Sequence, residues 1–581
     1  MAETAAGSTI QRGVQQLRRC FGDAALYLEE TKTAGSEAAA FYIALPPDYL
    51  GIKRRLRIGF PTAFPYLPMD FSITPSPRVD WPHCMEDGLC LYTDGEQPVT
   101  STPEAAVDEA IEKAFALIRF SLAEADQGRR DAEFAREIRS YWMMQQAVTP
   151  YRLTLVGVPT CSGPLYVVSD RSDLQRRNFR YIAASHYEEI SSFEQRFDRR
   201  ALPQRSTAKA GFFARLNSSP PPRLPTADFI TWLIPHLVEE DIPAFMQWTK
   251  ESADLASRWL VVSLPVEGLA LHTFHLRSLE IDRGRARVYG RRAVRRASIR
   301  ASNRRYAAEF TPTDVMDPTV IHHRAGPGVQ ALMGKRAVLV GAGSLGGEIA
   351  VLLARSGVGR LTLVDADRFE DVNIGRHVLG TQALGEVKVH ALRSRILRDV
   401  PSVSVTAIPC PVQAGGAALK SELEKADVVI VTTANWPSEE YLWSLKSAGA
   451  NWSLIHAWSE PHGFVGHALL APSGSYDARG LFDRGRFTSR FSNWPNNGVY
   501  ALPACGASYI PGAPVALARI AGMTAQLALA TLTGQSANPR WHSTVGNLGQ
   551  LLEHGGFYEG PSLPEGANFL EREMPWPEAV V

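Results

Sequence analysis

Arg336-Ala-Val-Leu-Val340-Gly341-Ala-Gly343-Ser-Leu-Gly346 is the stretch that decides the fold of the C-terminal half of this chain. Ala337–Val340 is short and wholly apolar, as a strand buried on both faces of a parallel sheet must be. It runs directly into glycines 341, 343 and 346, and then into a segment, Glu348–Ser356, whose pattern predicts a helix. Glycine permits the tight turn and the close approach of a phosphate, while a helix start offers unpaired N–H groups and a partial positive charge. A second apolar run, Arg360–Val364, ends at Asp365, where a carboxylate can bind a ribose hydroxyl. Taken alone, this fingerprint says only that a nucleotide binds, and an NAD-dependent oxidoreductase fits it as well as any other class.

Working outward, the chain from about 321 alternates strand, glycine turn and helix, the texture of a parallel α/β sheet. The whole chain has 581 residues, enough for roughly three or four domains. Its 61 Lys and Arg against 60 Asp and Glu argue against a wholesale nucleic-acid coat or an acidic tail. Six cysteines (20, 84, 90, 161, 410 and 505) are too few for a disulfide framework, and none forms a C-x-x-C pair, so the usual zinc spacing is missing. The N-terminal segment lacks a signal peptide's apolar stretch, and Val515–Leu532, which holds Arg519 and Gln526, is read as too short to span a bilayer. These features predict a cytoplasmic protein with reduced thiols and no membrane contact. Cysteines beside activating residues then become candidate nucleophiles.

Beyond Asp365 comes Asn373-Ile-Gly-Arg376-His377, and then Lys388 within Leu384-Gly-Glu-Val-Lys-Val. This polar set resembles the ThiF/MoeB/ubiquitin-activating adenylation family, which shows N-x-x-R followed by a lysine about a dozen residues on. Hydride transfer has no need of it. Attack of a carboxylate on the α-phosphate of ATP does, because fixed cations must stabilise charge as pyrophosphate leaves. The resemblance implies ATP and Mg²⁺ as cofactors, Asp365 on the ribose, Asn373 and Arg376 on the phosphates, and Lys388 beside the α-phosphate. After the apolar run from Asp427, the family has Asp-Asn, its aspartate helping to hold magnesium; here the pair is Ala434-Asn435, so no protein ligand for the metal is assigned. Cys505, in Leu502-Pro-Ala-Cys505-Gly-Ala-Ser, precedes a predicted helix over Ala513–Leu532, where activating enzymes carry a thioester cysteine. A small buried cysteine is the alternative for Cys505, and the structural role is favoured for Cys410.

A separate constellation lies near the N-terminus. Phe60-Pro61-Thr-Ala-Phe-Pro65-Tyr-Leu-Pro68 forces an extended, turn-rich path with aromatics between the prolines. Trp81-Pro-His83-Cys84-Met-Glu-Asp-Gly88-Leu89-Cys90-Leu91 follows. Together they resemble ubiquitin-conjugating domains, in which Cys90 falls at the position of the thioester cysteine. The usual H-P-N asparagine has no counterpart, since Cys84 follows His83, and His83 or a backbone N–H is read as its substitute. Cys84 is read as an accidental neighbour rather than an alternative nucleophile. Further on, Phe134, Ile138 and Trp142 are spaced four apart, predicting one helix face.

The expected fold class is therefore α/β, in three blocks: a ubiquitin-conjugating-like α+β domain over 1–145, a linker and inactive adenylation-like scaffold over 146–320, and a ThiF/MoeB-type Rossmann-like adenylation domain over 321–581. The middle block contributes no catalytic set. Its Arg283–Arg305 segment carries ten arginines and no acids, and reads as a solvated basic surface before a docking face. Nucleic acid is a weak candidate partner because no aromatics interleave. The block order resembles fused activating–conjugating enzymes of bacterial CBASS anti-phage operons. That resemblance implies a homodimer, Arg324 reaching into the partner's site, and Cys505 and Cys90 relaying the C-terminal glycine of a cGAS-like nucleotidyltransferase to an amine-bearing target. A ubiquitin-like protein as the acyl donor, an oxidoreductase, and a non-catalytic scaffold remain the alternatives.

Overall fold

The computed structural model of the chain describes residues 2–86, 88–92, 95–123, 127–170, 180–195, 210–225, 229–253, 255, 257–266, 268–278, 306–326, 328–501, 508–565 and 569–576. Its contacts divide it into two compact units: 1–154 with 159–186 and 205–314, and 155–158 with 187–204 and 315–581. Cys505 and the arginine-rich Arg283–Arg305 segment lie outside the described residues.

The first unit opens with helix α1 (Ala2–Phe21), followed by strands β1 (Glu37–Ala44), β2 (Arg55–Pro61) and β3 (Asp70–Thr74) in an antiparallel meander. The short pairs Gly88–Leu89 and Cys84–Met85 extend this sheet beyond β3. Helix α2 (Pro103–Ala123) packs against α1. Leu56, Ile58 and Phe60, alternate residues of β2, share one core with Phe41, Phe71 and Trp81. A buried ion pair reinforces it: Arg54 Nε lies 2.7 Å from Asp48 Oδ2, and Trp81 Nε1 donates to the same oxygen at 3.1 Å. Burial pushes the Asp48 carboxyl up, but Arg54 and the hydrogen bonds from Ile52 and Trp81 hold it below its usual value.

The helix expected across Phe134, Ile138 and Trp142 is broken into α3 (Gln127–Arg136) and α4 (Ile138–Gln145) at Glu137, whose φ of −120° and ψ of 17° leave the helical region. The break lets consecutive residues serve different neighbours. Tyr141 stacks edge-on against Phe134, whereas Trp142 enters a second core with Phe212, Phe229, Leu260 and Phe274. Trp142 Nε1 donates to the Pro221 carbonyl at 3.1 Å, and Gln145 Nε2 donates to that of Pro222 at 2.7 Å. The proline-rich connector is thus held on α4.

That second core lies on the middle sheet: β4 (Arg152–Val156), β5 (Gly163–Asp170), β6 (Arg180–Ala184), β7 (Gly211–Arg215), β8 (Ser257–Ser263), β9 (Leu271–Ser278) and β10 (Tyr306–Phe310). The order runs β10-β9-β8-β7-β5-β6-β4. β7 and β8 are parallel, and α5 (Ile242–Glu251) lies on the crossover between them; the pairs β5–β6, β5–β7, β8–β9 and β9–β10 are antiparallel.

The second unit is built on β11 (Arg336–Val340), α6 (Ser344–Arg355), β12 (Arg360–Val364), α7 (Lys388–Asp399), β13 (Ser404–Ile408), α8 (Gly416–Glu424), β14 (Val428–Val431), α9 (Trp436–Ser447), β15 (Ser453–Ser459), β16 (Val465–Ala471), α10 (Pro514–Leu532), β17 (Arg540–Val545) and β18 (Leu570–Met574). The sheet order is β13-β12-β11-β14-β15-β16-β17-β18. The first five strands are parallel and the last three pair antiparallel. Both faces are covered, which explains the unbroken apolar runs. Ala337 and Leu339 of β11 enter one core with α6, α7 and α10, while Val338 and Val340 enter the opposite core with α8 and α9. The strand order reverses between β11 and β14, and the carboxyl ends of strands at such a switch point form a crevice for ligands.

Two expectations need correction here. Helix α6 begins at Ser344, four residues earlier than predicted, so Gly343 is its N-cap and the glycine turn supplies the first turn of the helix. The 19 residues of α10 make it long and apolar enough to cross a membrane, so shortness is not what argues against a span. Its place in the fold is what counts: Ile520, Ala521, Met523, Leu527 and Ala528 are buried against the sheet.

Candidate functional site

The three fingerprint glycines have different duties. Gly341 adopts a φ of 96°, in the left-handed region that glycine enters at no steric cost, and its N–H bonds the Val364 carbonyl at 2.8 Å. A Cβ at Gly346 would sit 1.9 Å from the Gly341 oxygen, so this glycine lets the helix close onto the turn. A Cβ at Gly343 would meet nothing within 4 Å. Only there does the loop leave open space at the N-terminus of a 12-residue helix, whose first N–H groups lack intrahelical acceptors. An anionic phosphate fits that space and those donors.

Around the turn, Asp365 Oδ2 accepts the Ala342 N–H at 2.7 Å and Oδ1 accepts that of Asp367 at 2.7 Å. Asp365 therefore braces the glycine turn with the carboxylate expected on the ribose, leaving each oxygen one lone pair for a hydroxyl. Lys388 opens α7; its Nζ lies 2.9 Å from Asp367 Oδ2 and its N–H bonds the Asp367 carbonyl. Asn373 closes a capping box with Glu370, its Oδ1 accepting the Glu370 N–H at 3.1 Å, which leaves its NH₂ as the group able to face a phosphate. Arg376 is exposed and, among the described residues, has no ion-pair partner. Neither His377 nor Thr432 was assigned a role from the motifs. His377 Nε2 donates to the Ala342 carbonyl at 2.8 Å while Nδ1 accepts the Leu379 N–H, which assigns the tautomer. Burial pulls the His377 pKa down, keeping that neutral form. Thr432 Oγ1 donates to the Gly341 carbonyl at 3.0 Å. For Thr432, a polar residue directly after a parallel strand, that position was the available signal.

In the first unit, the Cys84–Met85 and Gly88–Leu89 pairs form a tight hairpin, and the Cys90 N–H closes it on the His83 carbonyl at 2.8 Å. Cys90 is exposed and Cys84 is fully buried. His83, with a φ of 57°, is gripped from several sides. Its N–H donates to the Tyr141 hydroxyl at 2.7 Å, and its ring nitrogens lie 3.3 Å from Glu133 and 3.2 Å from Glu137. The hydrogen bond that His83 donates to Glu137 raises its pKa, burial opposes it, and Glu133 adds to the rise. The exposed Cys90 is thus tied to the His83 backbone, while the His83 ring is held between two glutamates.

With this geometry in view, residues 320–554 match the ThiF family. They form a ThiF-family domain. Relatives extend beyond it. The ATP-dependent ubiquitin transferase-like protein Cap2 of Vibrio cholerae is 25% identical over 427 residues, 68% of this chain and 69% of that protein. Cap2 of Pseudomonas aeruginosa is 29% identical over 242 residues, 39% of this chain and 42% of the relative, so this match spans less than half of the relative's length. The molybdopterin-synthase adenylyltransferase of Escherichia coli is 34% identical over 109 residues, 19% of this chain and 43% of that enzyme. The fold of the ThiF domain is the α/β fold expected from its sequence.

Within the ThiF domain, Ala434 has a φ of 50°, in a region where aspartate and asparagine are enriched several-fold. Its Cβ carries no ligand. Among the described residues, no group of three or more His, Cys, Asp or Glu is gathered to hold a metal ion. Magnesium usually binds through one or two carboxylates plus phosphates. Asp365 is engaged by the glycine turn and Asp367 by Lys388, so no protein ligand is assigned to the metal. Arg324 is exposed on the turn after His322, whose ring bonds the Arg355 carbonyl and Ser402. Behind the sheet edge, Glu460 accepts N–H groups from Phe491 and Ser492 and the His467 ring at 2.9 Å. This satisfied buried network fastens the segment leading to the Tyr500–Ala501 and Ser508–Tyr509 hairpin.

Proposed function

We propose that the chain uses ATP to activate the C-terminal carboxylate of a protein and relays the acyl group through two cysteines to an amine. A carboxylate oxygen attacks the α-phosphorus and pyrophosphate leaves. The Cys505 thiolate then displaces AMP to form a thioester, the Cys90 thiolate takes the acyl group and releases Cys505, and an amine nitrogen forms the amide and frees Cys90. The observation that carries this reading is the open Gly343 space at the helix N-terminus, with Asp365, Lys388 and Arg376 on the loops around it. Arg376 and Lys388 would meet phosphate charge, Asn373 would donate to a phosphate oxygen, and Gly341 and Gly346 shape the turn. Bound Mg²⁺ would offset charge on the phosphates.

The first block serves in this scheme as the conjugating domain and the middle block as a scaffold. Exposure of Cys90, whose N–H bonds the His83 carbonyl, supports that assignment. The acyl donor is a cGAS-like nucleotidyltransferase ending in glycine, and the enzyme acts as a homodimer with Arg324 serving the partner's nucleotide. The test is non-reducing electrophoresis with Mg-ATP and a candidate donor. Cys505→Ala should abolish both thioesters, while Cys90→Ala should leave the one at Cys505. A ladder with a ubiquitin-like protein in place of the nucleotidyltransferase would reassign the donor, and no reductant-sensitive adduct with either would sink the relay.

A further inference from the structure

A cavity of about 420 Å³ lies within the second unit, at the start of β16 and the end of β17. Its floor is apolar: Phe464, Trp494 and Leu551 are buried there. The exposed residues Gln550 and His554 are part of its lining and bring it to the surface.

One wall holds Arg519 of α10. Its Nε and Nη1 are buried and, among the described residues, accept no hydrogen-bond partner, while its guanidinium lies 4.5 Å over the Phe569 ring. Burial pulls its pKa down, yet a guanidinium stays charged in proteins. Arg519 is partly buried, and withdrawing two of its donors from water without a partner among the described residues carries a cost. Facing it is His462, a non-glycine residue at φ 61°, a strained backbone fixed by bonds to the Pro511 carbonyl and from the Ala513 N–H. The His462 ring stacks on Trp494 at 4.3 Å, and its Nε2 is also buried without a partner among the described residues. Burial and the neighbouring His554 both lower the His462 pKa, so it offers a neutral ring. Gly546 adds room: a Cβ there would come within 3.3 Å of Arg519 Nη2.

We propose that this cavity is a binding site for a carboxylate carried on an apolar body, the carboxylate meeting Arg519 and the body lying on Trp494, Phe464 and Phe569. One fixed positive charge matches one negative charge, which favours a carboxylate over a dianionic phosphate. The guanidinium has two donors, Nε and Nη1, still to be satisfied, and an anionic carboxylate oxygen is the strong acceptor for such a group. Nothing in the argument uses the nucleotide site, and binding here is independent of the relay proposed above.

Calorimetric titration of the full chain without ATP tests it, using 3-phenylpropanoate, its amide, phenyl phosphate, and two pentapeptides that differ only in Phe-Glu against Phe-Gln. The acids should bind about tenfold to a hundredfold more tightly than their amides, the range expected for a hydrogen-bonded charge. Arg519→Met should erase that preference, and Phe569→Ala should weaken acid and amide together. A tighter peptide identifies a protein segment as the source, and a tighter small acid identifies a free metabolite. Equal binding of acid and amide by the wild-type chain overturns the proposal even where a variant fails to fold. Preferential binding of phenyl phosphate overturns it as well.

Discussion

Lys388 Nζ and Asp367 Oδ2 lie 2.9 Å apart, and the pair is unequal: the lysine side chain is 11% exposed and the aspartate 68%. The cation is fixed by the start of α7, while its counter-charge stands in solvent, where an ion pair contributes little. A phosphate can therefore replace Asp367 as the partner at small cost. Lys388→Met should lower pyrophosphate–ATP exchange by about a hundredfold to a thousandfold, the usual loss for a donor to developing charge. Asp367→Asn should change exchange by less than about tenfold.

The glycines separate folding from ligand binding. Gly346→Ala forces a Cβ to within 1.9 Å of the Gly341 oxygen, so the ThiF domain should lose thermal stability whether or not nucleotide is present. Gly343→Ala meets no atom within 4 Å at a φ of −77° and should melt as the wild type does. Its nucleotide affinity, read by calorimetry, should nevertheless fall.

His83 gives the first unit a pH signature. Its folded pKa is raised above 6.5, so the clamp with Glu137 and Glu133 stabilises fully below pH 6.5 and weakens as pH rises through the folded value. The melting difference between wild type and His83→Gln should shrink on going from mildly acidic to alkaline buffer. A difference that grows with pH would contradict the clamp.

Thiol chemistry discriminates the neighbouring cysteines. Maleimide should modify Cys90 rapidly in the folded chain and Cys84 only on unfolding, as peptide mapping would record. Cys90→Ser should remove the second thioester, whereas Cys84→Ala should alter stability by about 1 kcal/mol and spare transfer.

Ala434 offers a gain-of-function test. Its left-handed backbone accepts aspartate readily, so Ala434→Asp should fold normally and lower the Mg²⁺ concentration needed for half-maximal exchange. An unchanged metal dependence would place the ion elsewhere.

Much of the ThiF domain was legible because its signals are local. Alternate residues of Ala337–Val340 feed two cores, and any strand buried on both faces must look that way. Asp365 was read from its spacing from the glycines, and Lys388 from the resemblance of Asn373, Arg376 and Lys388 to the adenylation family's polar set. His377 and Thr432 were not, because their work is to hold carbonyls of a turn that only the folded chain brings to them. The early start of α6 was missed because glycines 346 and 347 score poorly as helix formers, and packing against the turn overrides that preference. In the first block, the single helix face read across Phe134, Ile138 and Trp142 is interrupted at Glu137; Ile138 and Trp142 share the middle core and Phe134 packs on Tyr141, a division that periodicity does not encode.

Tyr141 and Trp142 give that break a practical meaning. One residue bonds the His83 backbone and the next fills the middle core, and both are fully buried. Excising residues 1–145 to obtain a minimal catalyst would strand an indole in water and loosen the helix that steadies the Cys90 hairpin. A shorter piece keeps this packing only when the middle sheet travels with it.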